Sequence, residues 1–185
     1  MRGVGRLKNE RLLKMKDTEP EIQQLGHFLG EFNKESDRGA ALVAASMLDE
    51  RLQEILSHFL VKAPTSKELL VGFNAPLGTF SARAAAALSL GLIQENEFKE
   101  ITLIRRIRNE FGHGWKSLSF ESGRVADLCR QLPWLGPAEL ETGATVRARF
   151  NFAVAILLTD LLWRVRVVSE ERRTLKVWPN RARSA

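Results

Sequence analysis

The stretch ESDRGAALVAASMLDERLQEILSHFLV, Glu35 to Val61, places Leu48, Leu52, Ile55, Leu56 and Phe59 at intervals of three and four. That spacing puts the five side chains on one face of an α-helix. Ser36 and Asp37 are both N-cap candidates at its start. The spacing therefore predicts one long helix of about 24 residues, whose apolar face needs further helices to cover it.

Helical periods continue on both sides. Upstream, Pro20 suits a first helical turn, and Ile22, Leu25, Phe28, Leu29 and Phe32 follow at helical spacing. Downstream, Pro64 and TSKELLVGFNAPLGT read as a connector with one short helical turn, because Gly72, Asn74, Pro76 and Gly78 are turn formers. FSARAAAALSLGLI predicts an alanine-rich helix suited to close packing, with Gly91 as its C-cap. A further helix is expected from Glu95 to Phe111, its face formed by Ile101, Ile104, Ile107 and Phe111 and its end allowed by Gly112 and Gly114. SLSFESG reads as a loop and RVADLCRQL as a short helix closed by Pro133 and Pro137. The last helix is expected from Ala138 to Val168, with Val146, Phe150, Val154, Leu157, Leu158, Leu161 and Val165 facing inward. No stretch alternates in the manner of a strand. The expectation is an all-α fold, a single bundle of five or six helices framed by two long ones.

Composition bounds the function. A chain of 185 residues with 44% apolar content can bury a full core in one domain. One cysteine, Cys129, excludes an internal disulfide and a cysteine-based zinc site, and His27, His58 and His113 are scattered, so neither a metal nor a cofactor is implied. A reducing cytoplasm is the expected compartment. The most apolar run, FNFAVAILLTDLLWRVRVV, is interrupted by Asp160, Arg164 and Arg166, each costing about 2.5 to 3.5 kcal/mol at a bilayer centre. It reads as a buried helix, with no membrane role, and the basic start of the chain has neither the apolar segment of a signal peptide nor a lipidation signal.

The net charge of +6 is concentrated at the ends. Residues 1–16 carry six basic side chains against Glu10, and residues 169–185 carry five against Glu170 and Glu171. Between residues 17 and 168 stand 17 basic and 19 acidic side chains, a slightly acidic body. The division expected is a basic, mobile N-terminal tail over 1–16, a helical domain over 17–168 and a basic C-terminal tail over 169–185. Residues 1–16 and 172–185 are expected to be removable without loss of fold. Such tails suit phosphate contact, and direct DNA binding through them is one function class to weigh; they equally describe solvated termini.

Four blocks, ESDRGAALVAASMLDERL (Glu35 to Leu52), GFNAPLGTFSAR (Gly72 to Arg83), LGLI (Leu90 to Ile93) and IRRIRNEFGH (Ile104 to His113), resemble successive blocks of the mannitol operon repressor (MltR) family. The resemblance spans roughly residues 20–165 and neither tail. Gly112 departs from the alanine of the family form. The resemblance implies an all-helical bacterial regulator of sugar-alcohol uptake, without a helix-turn-helix of its own. Such a repressor acts through another transcriptional regulator or regulatory protein, and a homodimer is compatible with it.

Glu35, Asp37, Arg38, Arg83, Arg108, Asn109 and His113 all fall near predicted helix ends within these blocks. They are expected to converge as a polar cluster or partner site, with Arg83 or Arg108 paired to Asp37 or Glu35. Arg108, Asn109 and His113 also match the Arg-polar-x3-His pattern of HEPN domains, helical bundles that include metal-independent ribonucleases. In that alternative His113 takes a proton from a ribose 2′-OH and Arg108 stabilises charge on the phosphate. Arg51 with His58 and Arg106 with His113 fit looser spacings, so the adjacent Asn109 and the helix-end location carry the signal. Five residues along an unbroken helix lie about 140° apart, so joint action requires α-helical geometry to end between Arg108 and His113. Otherwise both basic groups serve the helix C-terminus, and the expectation is a non-enzymatic protein.

The remaining features read as structural. GFNAPLGT lacks a P-loop lysine and the P-loop interval. Arg83 predicts an internal ion pair. Ser46, Thr159 and Asp160 on apolar helices predict interhelical hydrogen bonds, and Trp115, Trp134 and Trp163 predict packing, not a base-stacking platform.

Overall fold

In the computed structural model, which describes residues 20–113 and 118–179 and the backbone alone of His113, all regular structure is helical. Helix α1 is Pro20–Phe32, α2 Asp37–Phe59, α3 Pro64–Leu70, α4 Phe80–Ser89, α5 Glu95–His113, α6 Gly123–Arg130 and α7 Val146–Glu170, with a 3-10 segment, Ala138–Gly143, ahead of α7. Six of these are the predicted helices, and α3 is the helical turn of the connector. Residues 1–16, Gly114, Trp115 and the chain beyond residue 179 lie outside the described residues.

The two longest helices, α2 and α7, pack along each other; α4 and α5 lie on α2, α6 covers α5 and α7, and α1 touches both long helices. Helix α2 can take neighbours on several sides because its first half is narrow, with Ala40, Ala41, Ala44 and Ala45 all buried, before the predicted Leu48, Leu52, Ile55, Leu56 and Phe59 face. At one end of the bundle the core is aromatic. Phe120, from the SLSF loop, stands 4.8 Å from Phe150 and 5.3 Å from Phe111 between ring centroids, and Phe32 lies 6.3 Å from Phe150. The Phe120 ring thereby ties the loop to α5 and α7, and Phe32 of α1 joins the cluster through Phe150.

Local chemistry sets the helix ends. Ser36 is the N-cap of α2, its Oγ accepting from Gly39 N at 3.0 Å, which leaves Asp37 for a tertiary role. Gly91, at φ +71°, follows α4 in the left-handed region; Leu92 N donates to Ala87 O and Gly91 N to Leu88 O, the paired bonds of a Schellman stop. Two predicted boundaries move. The last helix begins at Val146 and not Ala138, because Thr145 caps it by accepting from Ala148 N and residues 138–143 wind as a separate 3-10 segment. Helix α5 runs two residues past Phe111, through Gly112 to His113.

The C-terminal segment meets the bundle. Arg173 N donates to Phe59 O at 2.8 Å, and Arg172 Nη1 donates to Ser57 O and Leu60 O at 3.1 Å each. These acceptors are the open carbonyls at the C-terminal end of α2, where positive charge is favoured. The first two arginines of the predicted tail are therefore part of the fold.

Candidate functional site

Of the seven polar residues singled out in the sequence, the six whose side chains are described divide between two places. At the start of α2, Asp37 accepts from Phe120 N at 3.0 Å and from Arg147 Nη1 at 2.6 Å, while Arg147 Nη2 also donates to Glu35 O. Arg147 lies over the Phe120 ring, 5.8 Å from its centroid. Asp37 thus joins α2, the Phe120 loop and the start of α7. The Glu35 side chain folds over Gly39, where a Cβ would collide with its carboxylate. Arg38 is half-buried beside them.

Arg83 is elsewhere. It is buried, with Nη1 2.8 Å from Asp49 Oδ1 in an ion pair, Nε donating to Leu77 O at 2.9 Å and Nη2 to Leu70 O at 3.0 Å. The expected pairing with Asp37 or Glu35 is replaced by Asp49, which stands 12 residues further along α2, about 18 Å away along the axis. Arg108 and Asn109 share this second place. Arg108 Nη1 donates to Asn109 Oδ1 at 3.1 Å, and both line a cavity of about 310 Å³ with Asp49, Arg105 and the Thr79–Ser81 start of α4. The His113 side chain lies outside the described residues. Because α5 is continuous to His113, the Arg108 and His113 positions are about 140° apart round the axis.

A third arrangement was not singled out in the sequence. Arg164 on α7 reaches the start of α5, donating through Nη2 to Glu97 Oε1 at 2.9 Å and through Nη1 to Leu92 O at 2.8 Å. Glu97 Oε2 accepts from Gln94 N at 2.6 Å, the return half of a capping box. Beside this pair, of which Glu97 is buried and Arg164 half-buried, Glu100 is 9% exposed and makes no ion pair among the described residues. Burial, then the charges of Glu97 and Asp160, raise its carboxyl above the usual range, against a hydrogen bond from Asn96. Asp160 is raised also, by desolvation and Glu97, with Arg164 opposing. These carboxylates floor a cavity of about 430 Å³ whose rim includes Leu135, Ile156, Trp163 and Val167. The rim is apolar and open: Ile156 is 39%, Trp163 40% and Val167 56% exposed. The legible signal was that α7 carries apolar residues outside its inward set, at 156, 163 and 167, three positions that share a helical face.

Other predicted roles shift. Ser46 and Thr159 donate to Leu42 O and Ala155 O in their own helices, not across to neighbours. Trp134 packs on Phe152 and donates to Pro137 O, whereas Trp163 is half-exposed on the α7 rim under Arg166. Burial pushes the Cys129 thiol up to about 12, which leaves it inert as a nucleophile. Among the described residues no group of His, Cys, Asp or Glu is placed to hold a metal, and no helix is long and apolar enough to cross a membrane.

The sequence matches no protein-family profile and no curated protein. The fold is similar to a chain in the X-ray structure of the MtlR-HPr complex from Escherichia coli, with a TM-score of 0.53 and 20% identity, over 78% of this chain and 98% of that one. At that identity the likeness is one of fold.

Proposed function

We propose that this chain is an MtlR-like regulator that works by binding a regulatory protein, and that the α7 rim is the surface it offers. The observation that carries the reading is the open apolar stripe Ile156, Trp163 and Val167 above carboxylates with one arginine among them. Exposed apolar side chains grouped around a recess are the anatomy of a contact surface. The partner's matching face presents apolar side chains round a lysine or arginine, the cation meeting Glu100 and Asp160. The fold likeness supports this, since the similar chain is in complex with HPr. Following the resemblance of the four sequence blocks, the process we propose it controls is transcription of a sugar-alcohol operon such as that for mannitol, in the cytoplasm and without catalysis by this chain.

The ribonuclease alternative needs Arg108, Asn109 and His113 to act together, and the continuous α5 counts against that within one chain. The test is calorimetric titration with HPr from the same host. Saturable binding is expected, with a loss of tenfold or more in Trp163→Asp and no change in Arg130→Gln, both folded by circular dichroism. Absence of HPr binding would remove HPr as the partner. RNA cleavage without added metal, lost in both Arg108→Ala and His113→Ala, would replace the regulatory reading with the enzymatic one.

A further inference from the structure

The cavity between α2, α4 and α5 is separate from the partner face: Glu97 and Glu100 lie in the first two turns of α5, whereas the side chains lining this cavity come from positions 105, 108 and 109. Its charge is unbalanced. Asp49, the one carboxylate on its wall among the described residues, is already neutralised by buried Arg83 at 2.8 Å. Arg105 is half-buried and has no partner among the described residues, and Arg108 meets only the neutral amide of Asn109. Two guanidinium groups, half-buried Arg105 and exposed Arg108, therefore share one recess in which no unpaired acid stands among the described residues, an arrangement that an anion completes.

The opposite wall adds donors. Thr79, Phe80 and Ser81 open α4, a helix of ten residues. Thr79 Oγ1 accepts from Ala82 N and Thr79 O accepts from Arg83 N, which leaves the Phe80 and Ser81 amides without intrahelical acceptors at the positive end of the helix. The amide nitrogen of Asn109 has no acceptor among the described residues either. Thus donors converge on the recess from two helices, and its 310 Å³ sits at the small end of ligand pockets.

We propose that this cavity binds a small phosphate monoester, its phosphate held by Arg105, Arg108 and the start of α4, and its organic part against Ser46, Ser81 and Asn109. A monoester carries about −1.5 to −2 charges near neutral pH, which matches two arginines, and its three free oxygens suit guanidinium forks. A half-open recess of about 310 Å³ has room for a small molecule and not for the run of a polymer backbone.

The full-length protein is titrated with glycerol 2-phosphate, with glycerol and sodium chloride at matched ionic strength as controls, read by calorimetry and thermal shift. Saturable binding of glycerol 2-phosphate alone is expected, weakened about tenfold or more in Arg105→Gln and in Arg108→Gln, as loss of one charge-assisted hydrogen bond implies. Arg106→Gln removes the same charge from the neighbouring position, outside the cavity, and leaves binding unchanged. Neither cavity arginine supports the fold through an ion pair among the described residues, so circular dichroism of both variants matches the wild type. Equal weakening by Arg106→Gln would show diffuse charge attraction and overturn the proposal. So would absence of saturation by tens of millimolar ester, or a short RNA that binds while the ester does not.

Discussion

Arg83 is held by three acceptors on two segments, Asp49 of α2 and the carbonyls of Leu70 and Leu77, so its removal leaves a carboxylate and two carbonyls to be satisfied anew. Arg83→Ala is expected to cost about 3 to 5 kcal/mol in urea unfolding, and Arg83→Lys to recover only part, because one ammonium cannot span the fork. An internal ion pair for Arg83 was legible from its place on an alanine-rich helix; its partner was not. Ser36 took the cap of α2, Asp37 went to Arg147, and nothing in the local periodicity marks an arginine 110 residues away. Glu100 behaves oppositely, since burial without a cation raises its carboxyl. The folded chain then binds more protons than the unfolded one between the ordinary carboxylate range and the raised value, so this group's contribution to stability falls as pH rises through that window. Glu100→Gln should therefore melt above the wild type at about pH 8, with the difference closing as pH drops towards about 4. A gap that widens on acidification would contradict the sign.

The helices themselves were the most readable level, because each has an apolar face of helical period; their ends were less so. AELETG, residues 138–143, has the composition of a helix start, yet Thr145 provides the cap and the continuous helix waits for it. The opposite happened at Gly112. A glycine costs about 1 kcal/mol within a helix, too little to end one whose preceding Phe111 is fully buried. That single boundary changes the candidate site, since it fixes Arg108 and His113 on different sides of α5. Gly91 was read correctly because a glycine after an alanine-rich helix has one common use, and here the positive φ requires it. Gly91→Ala is expected to destabilise by about 1 kcal/mol through the left-handed backbone alone, while Thr145→Ala loses about 0.5 to 2 kcal/mol by freeing the Ala148 amide. Equal unfolding midpoints for either variant and the wild type would mean that its neighbours, not its cap, set that helix end.

Across the whole molecule, apolar periodicity identified which surfaces are covered but not which helix covers which, since every amphipathic face is satisfied by any other. The pairing rests instead on contacts far apart in sequence: Phe120 under Arg147, Arg164 on Glu97, and the C-terminal arginines on the end of α2. The last of these was read as a dispensable tail because positive charge without apolar period looks the same whether it is solvated or seated on helix carbonyls. The distinction can be measured by cutting the chain at two points. Leu175 and Val177 are exposed, so a chain ending at Leu175 keeps both arginines clear of the new carboxylate and should melt with the full-length protein. A chain ending at Glu171 loses the bonds to Ser57, Phe59 and Leu60 and the stacking of Arg173 on Phe59, 5.6 Å from its centroid. Partly solvated bonds of this kind together contribute about 1 to 2 kcal/mol, which for a domain of this size lowers the melting temperature by about 2 to 8 °C. If the two truncations melt together, the arginines add nothing to the bundle and the basic segment is free for a partner from its first residue.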